Sequence, residues 1–193
     1  MTDYEQPEFY SFSQDSIELA KYVLQKTSSM DLQSILDLGC GCGVVGIEIL
    51  KAHKNEIRLD AIDCEIQWRE YFLKNCQSMI PHQIFQFYHK FFYDFSPPQK
   101  YDCIVSNPPY FLTGAGRPNP NPLTDKARRW SEKEQTEFLK LFQFLKPRGM
   151  GFFLGRESVD YWKALAEKEK IKLELSAGAQ VAGALVINVI SFE

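Results

Sequence analysis

The chain has 193 residues, 45% of them hydrophobic and 24% charged, and a formal net charge of −3. These values describe a soluble globular protein of one domain. They count against a broad, nonspecific phosphate-binding surface, and no apolar run is long enough to span a bilayer. The opening MTDYEQPEFYSF lacks the order of a signal peptide. Five cysteines in apolar or glycine-rich settings point to reduced thiols and a cytoplasmic location. Cys40 and Cys42 have no second ligand pair at zinc spacing, so no metal is expected.

In chain order, Ser16 to Lys26 reads as an amphipathic helix and SILDL, Ser34 to Leu38, as a short strand. A helix follows over Gly43 to Ala52, then a strand over Ile57 to Ile62. The next helix runs from Ile66 to Met79 with Trp68, Phe72, Leu73 and Cys76 inward. Strands are expected over Gln83 to Tyr88 and Tyr101 to Ser106. A helix over Glu132 to Leu145 ends before Pro147 and Gly149. Met150 to Leu154 is a strand, Val159 to Glu169 a helix, and Ile171 to Leu175 and Leu185 to Phe192 are the final strands. Strands alternating with helices predict an α/β domain with a mostly parallel sheet. The link SAGAQVAG is too short for a helical crossover, so the last two strands should pair antiparallel. The long loop from Leu112 to Arg129 is expected to be functional or mobile.

Two stretches carry chemistry. In SILDLGCGCGVVG a strand ends at Asp37, Gly39, Gly41 and Gly43 follow, and a helix begins. The glycines permit a tight turn and close approach of a ligand to the backbone. The spacing is neither that of a dinucleotide site nor of a phosphate loop. Asp37 would repel a phosphate and suits an ammonium group. Asp63, just past the next strand, can accept both hydroxyls of a ribose. A nucleoside with a cationic tail and no phosphate meets these demands, and S-adenosylmethionine has all three properties.

The second stretch is NPPY, Asn107 to Tyr110, at the end of the fourth strand. Two prolines end the ladder and hold Asn107 extended. Ligands of open α/β sheets lie at the carboxyl ends of the strands, so Asn107 faces the methyl donor. The Asn107 side-chain oxygen and the Pro108 carbonyl can accept from an amino group, and Tyr110 can stack on a flat substrate. Two such acceptors would favour a pyramidal nitrogen aimed at a methyl carbon, with no strong general base required.

LDLGCGCG and AIDCE resemble the first and second motifs of the class I S-adenosylmethionine-dependent methyltransferases. The resemblance implies a Rossmann-like, seven-stranded, mostly parallel sheet with an antiparallel last strand and helices on both faces. It implies that Asp37, Gly39, Gly41 and Gly43 line the methionine end and that Asp63 holds the ribose. In HKFFYDF, Phe91 or Phe92 stands where that family often has an acidic residue near the adenine. Asp94 is a substitute, and Phe92 either packs on the adenine or belongs to the core. NPPY resembles the family's signature for amino-group methylation of a base or of a protein glutamine amide.

NPPYFLTG followed by KARRW is similar to the bacterial enzymes that methylate the adenine after the anticodon of valine tRNA. Gly114, Ala127 and Arg128 fit that pattern. YSFSQDSIELA resembles the segment that closes over the cofactor, which makes Asp15 and Ser16 neighbours of the donor site. Residues 1–33 are then an N-terminal helical extension and 34–193 the methyltransferase domain. Tyr110, Phe111, Arg128 and Arg129 are the expected substrate-binding residues. Arg117, Lys126, Arg128 and Arg129 form a basic cluster for RNA, which the resemblance implies is tRNA, with Trp130 beside it for stacking. The tail lacks the basic residue expected before the last strand of that subfamily. The alternatives are methylation of a release-factor glutamine and a cofactor-binding module without turnover. The 33 residues before Ser34 are too few for the helical domain usual in the former.

Overall fold

The sequence places an all-buried strand, SILDL, at the centre of a parallel sheet. The computed structural model, which describes residues 4–7, 14–112 and 129–192, has that arrangement. Helix α1 (Gln14–Lys26) precedes β1 (Ser34–Leu38), α2 (Val44–Leu50), β2 (Arg58–Asp63), α3 (Trp68–Met79) and β3 (Ile84–His89). A 3-10 turn at Phe92–Asp94 leads to β4 (Tyr101–Ser106). Two-residue strands β5 (Phe111–Leu112) and β6 (Arg129–Trp130) pair with each other in parallel. They are followed by α4 (Glu132–Leu141), β7 (Leu145–Gly155), α5 (Val159–Lys168), β8 (Leu173–Val181) and β9 (Ala184–Ser191).

The main sheet has seven strands in the order β3-β2-β1-β4-β7-β9-β8. β1 pairs in parallel with both β2 and β4, and β9 runs antiparallel to both β7 and β8. This is the expected Rossmann-like sheet with an antiparallel last strand. All five side chains of β1 are buried because helices cover both faces. One face packs on α1, α2 and α3 through Leu19, Val23, Ile47 and Phe72. The other packs on α4 and α5 through an aromatic cluster of Phe138, Phe142, Phe153 and Trp162.

Three element boundaries differ from the sequence reading by more than two residues. The helix from Glu132 stops at Leu141 and tightens into a 3-10 turn, Phe142–Phe144. β7 then begins at Leu145 and runs through Pro147. A register shift between Tyr101 and Cys103 of the facing strand absorbs the proline, with Arg148 at φ 65°. At the other end, SAGAQVAG is mostly strand. β8 continues to Val181, and the turn is Ala182–Gly183, both at positive φ (46° and 82°), as a tight hairpin requires. Its small residues look like a loop, but Gly178 is needed, since a Cβ there would lie 2.6 Å from the Tyr22 hydroxyl of α1.

Gly43 caps α2 at φ 90°, and a Cβ at this position would lie 2.8 Å from the Phe72 ring. Left-handed backbone and overpacking each carry a cost. Gly43→Ala is expected to lower stability by about 2–4 kcal/mol, read as a shift in the denaturant midpoint with unchanged slope.

Candidate active site

The sheet order brings two chain segments to one edge. Leu38 pairs with Ser106, and the Ser106 hydroxyl donates to the Leu38 carbonyl at 2.6 Å. The residues that follow, the glycine turn and NPPY, are therefore side by side. They share a cleft lined by Gly39, Gly41, Asp63, Phe92, Asn107 and Arg129.

The turn is held from below. Gly39 and Cys40 donate backbone N–H groups to the Ile62 carbonyl at 2.9 and 3.0 Å, and Gly39 and Gly41 have φ of 66° and 53°. A Cβ on Gly41 would meet nothing within 4 Å, so the glycine faces open space. Asp63 accepts from the Gly41 N–H at 3.0 Å and from the Glu65 N–H at 2.9 Å, one on each carboxylate oxygen. Each oxygen keeps a further lone pair, and the residue lines the cleft. That suits a diol.

Asp37 sits elsewhere than its motif position suggests. It is 1% exposed, lies off the cleft lining, and accepts from the Gly46 N–H at 3.0 Å. Its carboxylate ties the first turn of α2 to the end of β1. Gly43 likewise serves packing, not lining. Burial pushes the Asp37 carboxyl up to about 7, with the Gly46 N–H lowering it and the Asp63 charge raising it. Burial raises Asp63 to about 6, opposed by the Glu65 and Gly41 N–H groups.

NPPY is tied to the start of α1. The Asn107 amide nitrogen donates to Ser16 Oγ at 2.8 Å and to Asp15 Oδ1 at 3.2 Å. An ionised carboxylate only accepts, so Asp15 fixes which way the amide faces. Asn107 Oδ1 lies 2.6 Å from the Tyr110 hydroxyl, which also bonds Asp15 Oδ2. The phenol has one proton for two acceptors. It can release Asn107 and stay bonded to Asp15. Pro108 is buried and Pro109 lines the cleft. The Tyr110 ring is half-buried, with the Arg156 guanidinium 4.8 Å from its centroid.

Phe92 lines the cleft, packs on Phe138 at 5.5 Å and would touch a Cβ on Gly39, so it serves both core and cleft. Phe91 also lines the cleft, while Asp94 is exposed and does not. Trp130 lines the cleft while being only 3% exposed, and it packs in the core 5.2 Å from Phe138 and 5.8 Å from Trp162. Arg129 lines the cleft and donates to the Leu112 carbonyl at 3.4 Å. Phe111 is exposed. Gly114, Arg117, Lys126, Ala127 and Arg128 lie outside the described residues. The sequence reading did not single out Cys64, Glu65, Lys90, Pro109 and Glu134, which also line the cleft. Cys64, Glu65 and Pro109 adjoin named motif residues, and that adjacency was the available signal.

The N-terminal segment reaches the same turn. Asn75 of α3 donates to the Cys42 carbonyl of the glycine turn at 3.0 Å and to the Glu5 carbonyl at 2.9 Å. Among the described residues no helix is long and apolar enough to cross a membrane.

Sheet order and glycine turn together define a Rossmann-like methyltransferase domain. The methyltransferase small domain profile matches residues 8–119, and the chain belongs to that family. A tRNA1(Val) (adenine(37)-N6)-methyltransferase of Actinobacillus pleuropneumoniae serotype 7 (strain AP76) is 35% identical over 79 residues, 41% of this chain and 34% of that protein. One of Proteus mirabilis (strain HI4320) is 30% identical over 110 residues, 56% of this chain and 39% of that protein. The matched stretches thus span well under half of these relatives' length. Among solved structures, TrmN from Thermus thermophilus superposes with a TM-score of 0.62 at 16% identity, over 91% of this chain and 49% of that one. The mitomycin 7-O-methyltransferase MmcR superposes with 0.63 at 13% identity, over 92% of this chain and 54% of that one. These likenesses are of fold.

Both buried carboxyls have folded values above the ordinary 3.8. Between that value and neutrality the folded state binds more protons than the unfolded state, so stability falls as pH rises. Without ligand, the denaturant midpoint of the wild type is expected to drop from pH 4.5 to pH 7.5. Asp37→Asn should flatten that drop.

Proposed function

We propose that the chain is an S-adenosylmethionine-dependent methyltransferase acting on an exocyclic amino group, adenine N6 in tRNA or another RNA. The observation that carries the reading is Asn107. It lines the cleft beside the glycine turn, and its amide nitrogen is committed to Asp15 and Ser16. Its oxygen keeps a lone pair beyond the exchangeable bond to Tyr110. The tRNA substrate is suggested by the names of the relatives.

The residues present fit the cofactor. Asp63 offers two buried acceptors for a ribose, Gly41 leaves the cleft open, and Phe92 presents an aromatic edge for the adenine. Bound S-adenosylmethionine would supply an electrophilic methyl group. Asn107 Oδ1 and the Pro108 carbonyl then accept the two N–H bonds of the acceptor amino group and aim its lone pair at the methyl carbon. The transfer the cofactor would supply forms an N–C bond as the sulfonium's S–C bond breaks. The extra proton leaves to water after transfer, so no strong base is required. Tyr110, Phe111, Arg128 and Arg129 hold the substrate. The segment 1–33 closes over the donor, a reading supported by the bonds of Glu5 to Asn75 of α3 and of Asp15 to Asn107 of NPPY.

Incubation with radiolabelled S-adenosylmethionine and either bulk RNA or bulk protein tests the acceptor. Label is expected in RNA. Label in protein alone would establish the glutamine-amide alternative, and cofactor binding without transfer would mark a module without turnover. Asn107→Ala should bind cofactor nearly normally. Its single-turnover rate should fall on the order of a hundred- to a thousand-fold, as for loss of one positioned hydrogen bond in a closed site. A native rate would overturn the amino-group mechanism. Asp63→Ala is expected to weaken cofactor binding by about 1.5–3 kcal/mol, measured by calorimetry.

A further inference from the structure

One cation on the acceptor side has no role in the reading above. Arg156 directly follows Gly155, the last residue of β7. β7 is the neighbour of β4, with Phe153 paired to Ser106, so Arg156 emerges at the same sheet edge as NPPY. Its guanidinium carbon lies 4.8 Å from the Tyr110 ring centroid and 5.7 Å from that of Phe111. The residue is exposed, and no carboxylate pairs with it among the described residues. By contrast Lys146 is paired with Asp102 and Lys168 with Glu132.

A guanidinium resting on two rings is pre-positioned by cation–π attraction, while the N–H groups around its edge stay free to donate. That geometry matches the oxygens of a phosphate, which a guanidinium can bind in bidentate fashion. The position is equally specific. The far end of the same phenol touches Asn107, so Tyr110 spans from the amide that receives the amino group to the guanidinium. A base seated at Asn107 would bring its own backbone within reach of Arg156. In a chain of net charge −3, phosphate affinity has to come from such local cations.

We propose that Arg156 binds a backbone phosphate of the acceptor nucleotide, with Tyr110 and Phe111 as the platform that orients it. This rests on the nucleic-acid reading of the site. The test is binding of an unmodified valine tRNA transcript across a sodium chloride series, followed by fluorescence anisotropy, for wild type, Arg156→Ala and Arg156→Lys. Arg156→Ala should weaken binding and reduce the salt slope by about one. Arg156→Lys should keep the slope, because the charge remains. Cofactor affinity should be the same in all three proteins. If alanine lowers cofactor affinity, Arg156→Gln replaces it with the same expectation. A wild-type slope in the alanine variant would overturn the role of Arg156 and leave the RNA reading intact. So would equal weakening by alanine and lysine with no change of slope, which is what a clamp on Tyr110 predicts. A wild type without salt-dependent tRNA binding would overturn both.

Discussion

The buried bond from the Ser106 hydroxyl to the Leu38 carbonyl marks the constraint on which the site depends. It joins the last residues of β1 and β4, two adjacent parallel strands whose onward connections run to opposite sides of the sheet. Where connections diverge in this way, the loops leave a crevice between them. The glycine turn forms one wall and NPPY the other. Neither motif makes a site alone. A slip of one residue in the β1–β4 register would send Asn107 to the opposite face, since side chains alternate along a strand.

The two acidic motif residues divide the work differently from their textual prominence. Asp63 faces the cleft, and its two oxygens hold the turn and the start of the next loop. Asp37 is sealed under the turn, where it accepts one N–H of α2. A carboxylate at a helix start complements the partial positive charge of that end. One acid thus lines the cleft and the other braces the backbone, both are raised by burial, and the Asp63 charge raises Asp37 further.

Much of this was legible in the amino-acid order. Alternating apolar runs and amphipathic stretches gave the α/β class, and the glycines with Asp63, and Asn107 before two prolines, named the cleft. What was not legible depends on tertiary packing. Trp130 looks like a surface aromatic among arginines, yet its neighbours in space are Phe138 and Trp162. SAGAQVAG lacks β-branched residues until Val181, and becomes strand because pairing with β9 overrides propensity. Asp15 and Ser16 could be suspected near the donor, but only the fold shows them holding the Asn107 amide across 92 and 91 positions of chain. Arg156 carries no motif at all. Its place follows from β7 lying beside β4.

The location of β9 has a consequence for how the chain is made. β9 is the last strand in chain order among those described, yet it lies inside the sheet, between β7 and β8. During synthesis β7 emerges some thirty residues before its antiparallel partner and must wait with one edge unsatisfied. Open strand edges with apolar faces invite association between nascent chains. The amino-terminal strands β1 to β4 can pair meanwhile, so the half that carries the glycine turn and NPPY can take shape while the other half is still being translated. A ribosome stall between Gly155 and Ala184 would then release a chain with its binding crevice largely outlined and its sheet open, a form that cells would have to clear or chaperone.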